Sequence, residues 1–207
     1  MNQIEKDRNY WERIAKNYDR SMLLLGRPMP RVLEMAGEAV DGASRVLEVA
    51  AGTGLITTTL AAHAQHVTAT DYAAEMVAAL QSRIANKNLH NVTCEQADIY
   101  ALHYPPQTFD AVVAANVLHL LPDLPSALAA LQNVLKPGGR LIVPTFCHDQ
   151  NPLAWLFSRV MALTRFPGHR RFSIKSLRAA LESAGLQIAR AEVIPGLIPI
   201  GYMEGVL

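Results

Sequence analysis

The sequence predicts a single α/β domain in which short buried strands alternate with helices, and three observations carry that prediction. Segments of strand length, rich in apolar and β-branched residues, recur at 45–49, 66–70, 91–95, 109–115 and 141–146, most of them followed by a stretch with helical spacing. Apart from Asp110, the run Phe109-Asp110-Ala111-Val112-Val113-Ala114-Ala115 is apolar, as in a central strand buried on both faces. The small residues Ala50, Ala51, Gly52, Thr53 and Gly54 separate the first run from an alanine-rich helical pattern, giving strand, tight turn, helix. With 207 residues and 50% hydrophobic composition, the chain can bury one substantial core.

Taken in order, residues 5–19 place Tyr10, Trp11, Ile14, Ala15 and Tyr18 at helical spacing among charges, which predicts an amphipathic helix ahead of the core. A second helix spans 28–40 and stops at Asp41-Gly42. After the glycine turn, a helix over 55–64 leads to the strand 66–70, which ends in Asp71. The helix 73–86 sets Met76, Val77, Leu80 and Ile84 on one face before the strand 91–95. Gln96-Ala97-Asp98-Ile99 follows it.

Beyond the central strand lies Asn116-Val117-Leu118-His119-Leu120-Leu121; Pro122, Asp123 and Pro125 then open a helix to about residue 135. Lys136-Pro137-Gly138-Gly139 is a sharp helix stop ahead of the strand 141–146. Residues 147–172 break the alternation, with Leu153, Trp155, Leu156, Val160, Met161 and Leu163 in a helical pattern and a basic cluster at Arg165, His169, Arg170 and Arg171. Ser173 caps a helix over 173–184, Gly185 ends it, and strands over 186–194 and 197–206 join around Pro195-Gly196.

Composition favours some classes over others and leaves polyanion binding open. Charged residues make up 18% and the net charge is +1, so no strong field favours nucleic acid or an acidic membrane. Cys94 and Cys147 are too few for a disulfide framework and suit a reducing compartment. The first residues lack the apolar stretch of a signal peptide, and no apolar run reaches the ~20 residues a membrane span needs. The expectation is a soluble cytoplasmic protein with no stable membrane insertion and no metal site.

The glycine turn is the first candidate site. A turn of small residues lets backbone approach a ligand, and the helix it opens aims unpaired N–H groups at the same place. A phosphate is the default guest, but Glu48 at the strand's end would repel a pyrophosphate and attract an ammonium or sulfonium. Read as a dinucleotide loop, Gly52 and Gly54 would place the third glycine at Thr57, where a side chain obstructs tight helix packing. Asp71, at the carboxyl end of the neighbouring strand, can accept bonds from two ribose hydroxyls. Tyr72 stands ready to stack beside a base, and Asp98 is either a second ligand group or a solvated turn residue.

Glu48-Val49-Ala50-Ala51-Gly52-Thr53-Gly54 resembles the acidic-x-Gly-x-Gly-x-Gly signature of class I S-adenosylmethionine-dependent methyltransferases, with Ala50 in place of the first glycine. Asp71, the Ala97-Asp98 pair, the fourth strand with its Leu-His-Leu tail and Lys-Pro-Gly-Gly follow in the family's order. The resemblance implies a Rossmann-like doubly wound sheet of seven strands, mostly parallel with a C-terminal antiparallel hairpin. It also implies S-adenosyl-L-methionine as cofactor, held by Glu48, Ala50, Gly52, Gly54, Asp71, Tyr72, Met76, Asp98, Ile99 and Asn116. The single domain then divides into N-terminal lid helices (1–43), a cofactor core (44–146), a substrate-cap insertion (147–172) and a C-terminal helix and hairpin (173–207).

The family's lid helix closes aromatics over its ligands, so Tyr10 and Tyr18 either pack or bind substrate. His119, Trp155 and Arg170 are the other substrate-binding candidates, although the basic residues also fit a solvated loop. His119 and His148 each follow a strand whose carboxyl end faces the cofactor, and either suits a general base if the acceptor is a hydroxyl or carbon acid. Asn116 is not followed by Pro-Pro-aromatic, which lowers exocyclic amines as acceptors, and Cys147 lacks the Pro-Cys partner of the RNA cytosine-C5 methylases.

The expected activity is methyl transfer to a small, partly apolar molecule. The alternatives are an NAD(P)-dependent oxidoreductase and a non-catalytic S-adenosylmethionine-binding protein. An apolar cap able to pair with its own copy makes a homodimer a further expectation.

Overall fold

Strand β1 (Arg45–Val49) lies between β2 (His66–Asp71) and β4 (Phe109–Val113), parallel to both. The computed structural model describes residues 8–14, 28–147 and 168–207, so the expectations for Tyr18, His148, Trp155, Arg165 and most of the cap lie outside the described residues. Strand β3 (Val92–Gln96) adds beyond β2 and β5 (Leu135–Phe146) beyond β4, again in parallel. Strands β6 (Gln187–Ile194) and β7 (Ile200–Val206) close that side antiparallel, giving a seven-stranded sheet in the order β3-β2-β1-β4-β5-β7-β6. The predicted architecture is therefore the observed one.

Period-two alternation divides the core between the two faces of the sheet. Val46, Val67, Val113 and Ile142 pack with α1 (Met29–Ala39), α2 (Thr57–His63) and α3 (Ala74–Asn86) through Met35, Leu60 and Leu80. Their sequence neighbours Leu47, Val112, Leu141 and Val143 pack with α4 (Leu124–Val134) and α5 (Ile174–Ser183) through Leu128, Leu131, Leu177 and Leu181. Burying strands on both faces explains why their sequences are apolar runs instead of alternating patterns. The chain leaves β1 toward β2 on one side and later fills β4 on the other. That topological switch opens a crevice at the carboxyl ends of β1 and β4.

Several boundaries differ from expectation, among them the last strand, which starts at Ile200 instead of residue 197. Helix α2 begins at Thr57 instead of residue 55, because the turn continues through Leu55 and Ile56. The Lys-Pro-Gly-Gly turn is drawn into β5, which starts at Leu135. Its pairing with β4 shifts register between Phe109↔Leu135 and Ala111↔Arg140. Lys136 Nζ bonds Asp110 Oδ1 at 2.5 Å, while Asp110 Oδ2 accepts from Arg45 N at 2.8 Å, fixing the turn to two strands. No helix among the described residues is long and apolar enough to cross a membrane.

A methyl group on Gly139 would lie 2.8 Å from the Lys136 carbonyl oxygen and 3.1 Å from that of Asp110. Both obstacles are backbone and cannot swing away, so Gly139→Ala is expected to lose about 1–3 kcal/mol of stability. Urea denaturation measures this; a loss below ~0.5 kcal/mol, the ordinary surface range, would contradict the close approach.

Candidate functional site

The chain leaves β1 through three left-handed residues, Ala50 (φ 51°), Gly52 (φ 57°) and Gly54 (φ 84°). Ala50 adopts this conformation despite its Cβ, a strain of roughly 1–2 kcal/mol that the surrounding bonds must offset. The Ala51 N–H donates to the Thr70 carbonyl at 2.8 Å and the Gly52 N–H to Asp71 Oδ2 at 2.8 Å. The other carboxylate oxygen of Asp71 accepts from the Ala73 N–H at 2.9 Å. One buried side chain thus joins the loop after β1 to the start of α3. Burial raises the Asp71 pKa, and bonds from the Ala73, Gly52 and Tyr72 N–H groups draw it back.

These bonds alter three expectations about the loop. The N–H groups of Ala51, Gly52 and Gly54 are engaged within the protein, the last with the Ala51 carbonyl at 3.0 Å, so those three are not a ready cradle for a ligand. Gly54 turns away from the crevice: a Cβ there would meet Leu80 Cδ1 at 2.5 Å, so this glycine permits helix packing. Glu48 is 1% exposed and accepts from the Thr57 hydroxyl at 2.5 Å, beneath the loop and not on the cavity wall. Burial pushes its pKa up to about 8, the Thr57 bond opposing and the Asp71 charge adding to the rise. Thr57, fully buried at the third-glycine position of a dinucleotide loop, fills space such a loop leaves clear.

A cavity opens at the switch point. Ala50, Gly52 and Asp71 form its floor, and Tyr72 and Met76 one side. Asp98 and Ile99, which follow β3, form the next side. Asp98 caps the 3-10 turn Ile99–Ala101 by accepting from the Tyr100 N–H at 2.9 Å. Ala115, Asn116 and Val117 enter from the end of β4, and Leu120, Leu121 and Pro122 complete the wall. Asn116 is left-handed (φ 50°), its N–H donates to the Pro144 carbonyl at 2.7 Å, and its buried Oδ1 has no hydrogen-bond partner among the described residues. Backbone strain beside an unsatisfied buried acceptor is a pairing associated with functional sites.

Several side chains stand elsewhere than the sequence placed them. In the helical residues 8–14, Arg8 and Trp11 face the cavity, whereas Tyr10 is not on its wall and packs edge-on to Trp11. The Arg8 guanidinium lies over the Tyr72 ring, 5.6 Å from its centre. The signal was present, because positions three apart share a helix face and Arg8 precedes Trp11 by three. His119, 4% exposed, is not on the cavity wall either and lies edge-on to Phe146 at 6.4 Å. Arg170 bonds backbone, donating from Nη2 to the carbonyls of Leu121 and Pro122 at 2.9 and 3.0 Å.

Carboxylates at the end of the second strand and just past the third, on one cavity at the switch point of a doubly wound sheet, have the layout of a nucleoside-binding α/β domain. Residues 46–139 match the model of the methyltransferase domain family. The chain is 33% identical over 141 residues to a phosphatidylethanolamine N-methyltransferase of Cereibacter sphaeroides, covering 65% of this chain and 68% of that protein. It is 38% identical over 125 residues to the ubiquinone/menaquinone biosynthesis C-methyltransferase of Teredinibacter turnerae, covering 58% of this chain and 49% of that one. The chain thus spans about half the length of the latter relative. A S-adenosylmethionine-dependent methyltransferase structure from Aquifex aeolicus shares the fold, with a TM-score of 0.74 at 22% identity over 95% of this chain and 98% of that one. The chain belongs to the class I S-adenosylmethionine-dependent methyltransferase family.

The buried Glu48 gives stability a definite pH dependence. Its carboxyl is raised from 4.5 to about 8 in the folded state, so the fold holds this proton more tightly than the unfolded chain does. Its contribution is complete below about pH 4.5 and is lost as pH rises toward about 8. Glu48→Gln should therefore gain stability relative to the wild type as pH is raised across that window, measured by urea denaturation at several pH values. Parallel stability profiles for the two proteins would show that Glu48 is not the titrating group.

Proposed function

We propose that this protein transfers a methyl group from S-adenosylmethionine to a small, partly apolar acceptor. The observation that carries this reading is the pair of carboxylates, Asp71 and Asp98, on two sides of one cavity beside the Ala50–Gly52 loop. A carboxylate offers about four lone-pair positions. Asp71 takes side-chain bonds from Gly52 and Ala73, and Asp98 from Tyr100, which leaves both able to accept more. Ribose hydroxyls suit Asp71 and an exocyclic amine suits Asp98, with Ile99 and Met76 as apolar flanks for the base and Tyr72 as its stacking face. Filling of the third-glycine position by Thr57 weighs against a dinucleotide.

When bound, the cofactor supplies an electrophilic methyl on a sulfonium, open to in-line displacement. The protein's part is orientation and exclusion of water. Well-oriented reactants reach effective molarities of ~10⁵ M or more, so positioning supplies much of the acceleration. Ala50 and Gly52 bring backbone up to the methionine end, and Glu48 supports the loop from below through Thr57. Trp11, Val117, Leu120, Leu121 and Pro122 give the cavity an apolar wall, which supports an acceptor with an apolar body. The relatives named for phosphatidylethanolamine and for quinone biosynthesis point the same way. His119 stands off this wall, so no proton transfer is assigned to it.

Titration calorimetry tests the reading: the wild type should bind S-adenosylhomocysteine, and Asp71→Asn should bind it at least about tenfold more weakly, a loss near 1.4 kcal/mol. Binding of NAD(H) with no heat from S-adenosylhomocysteine would overturn it. Acceptor pools incubated with methyl-labelled cofactor then identify the substrate by the label it gains.

A further inference from the structure

The cavity wall formed by Leu120, Leu121 and Pro122 has an unusual support. These residues follow β4, and inside the 3-10 turn Leu118–Leu120 the Leu120 N–H bonds the Val117 carbonyl at 2.8 Å. The wall then leaves the turn with the carbonyls of Leu121 and Pro122 outside any ladder. Both are taken by one group, Nη2 of Arg170, at 2.9 and 3.0 Å. The same segment adds two backbone bonds, from the N–H groups of His169 and Arg170 to the His119 carbonyl at 3.0 and 3.2 Å. Just downstream, Phe172 bridges to Cys147 at the end of β5, so the segment is anchored to the sheet.

The opposite end of the wall is fixed from within the cavity. The Asp123 N–H donates to the Tyr100 hydroxyl at 3.1 Å, Tyr100 itself lines the cavity, and Asp123 caps α4 through Ser126. A three-residue wall is therefore held at one end by Tyr100 and Asp123 and along its back by Arg170.

We infer that Arg170 is a positioning residue for the cofactor cavity: by occupying the Leu121 and Pro122 carbonyls it sets where the Leu120–Pro122 wall stands. The inference rests on the methyltransferase reading of that cavity and assigns Arg170 no contact with substrate. A donor that carries a full charge makes these bonds stronger than neutral ones, and no neutral side chain of that length replaces them. Lysine keeps the charge but presents a compact ammonium in place of a planar guanidinium.

The test is calorimetry with S-adenosylhomocysteine on the wild type, Arg170→Met, Arg170→Lys and the control Arg178→Ala, whose residue pairs with Glu182 on the exposed side of α5, each checked for folding by circular dichroism. Methionine keeps the apolar stem and removes the donors. Arg170→Met should bind about tenfold more weakly than the wild type, Arg170→Lys about threefold more weakly, and Arg178→Ala within twofold of it. A merely structural arginine would lower the melting temperature without this graded loss and partial rescue. Should Arg170→Met not fold, Arg170→Lys decides alone. Wild-type affinity, within twofold, in a folded Arg170→Met, or in Arg170→Lys where that variant decides, overturns the inference. A wild type that binds no S-adenosylhomocysteine fails the methyltransferase reading itself, and the inference with it.

Discussion

The site depends first on the Asp71 carboxylate. One oxygen accepts from the Gly52 N–H and the other from the Ala73 N–H, so a single buried charge ties the loop after β1 to the segment that opens α3. Hydrogen bonds to a charged group are worth roughly 1.5–3 kcal/mol each, of the same order as the strain in the left-handed Ala50. The bond from the Ala51 N–H to the Thr70 carbonyl, at 2.8 Å, is the second that holds the alanine's loop against that strain. The fold supplies the position, since parallel β1 and β2 end side by side at the switch point.

The site's other features follow the same logic of strain balanced by local bonds. Asn116 is left-handed and anchored by its N–H to Pro144, and its side-chain oxygen has no hydrogen-bond partner among the described residues. Glu48 is held beneath the loop by Thr57 with its pKa raised by burial, so near neutral pH it presents much less than a full negative charge. A cation bound above the loop would draw that pKa down, which links cofactor charge to this carboxyl's proton.

Much of this was legible in the sequence because it depends on short-range pattern. Apolar runs located the strands, Asp71 and Asp98 followed theirs, and Pro-Gly-Gly marked the helix stop. The direction in which each side chain points was not legible. Gly54 looked like a ligand-facing glycine and faces Leu80; Glu48 looked like an electrostatic partner for a cation and is buried under the loop. Arg170 looked like either a substrate-binding residue or part of a solvated basic loop, yet it bonds carbonyls 48 and 49 positions earlier in the chain. Such a pairing is set by how the segment after β5 folds back over the end of β4, and no local spacing encodes it.

The most direct measurement is a crystal structure of the protein grown with S-adenosylhomocysteine. The expected result is ribose hydroxyls on the Asp71 carboxylate, the base between Ile99 and Met76 with its amino group toward Asp98, and the amino-acid end over Ala50 and Gly52. A ligand found elsewhere, or with its ribose turned away from Asp71, would contradict it.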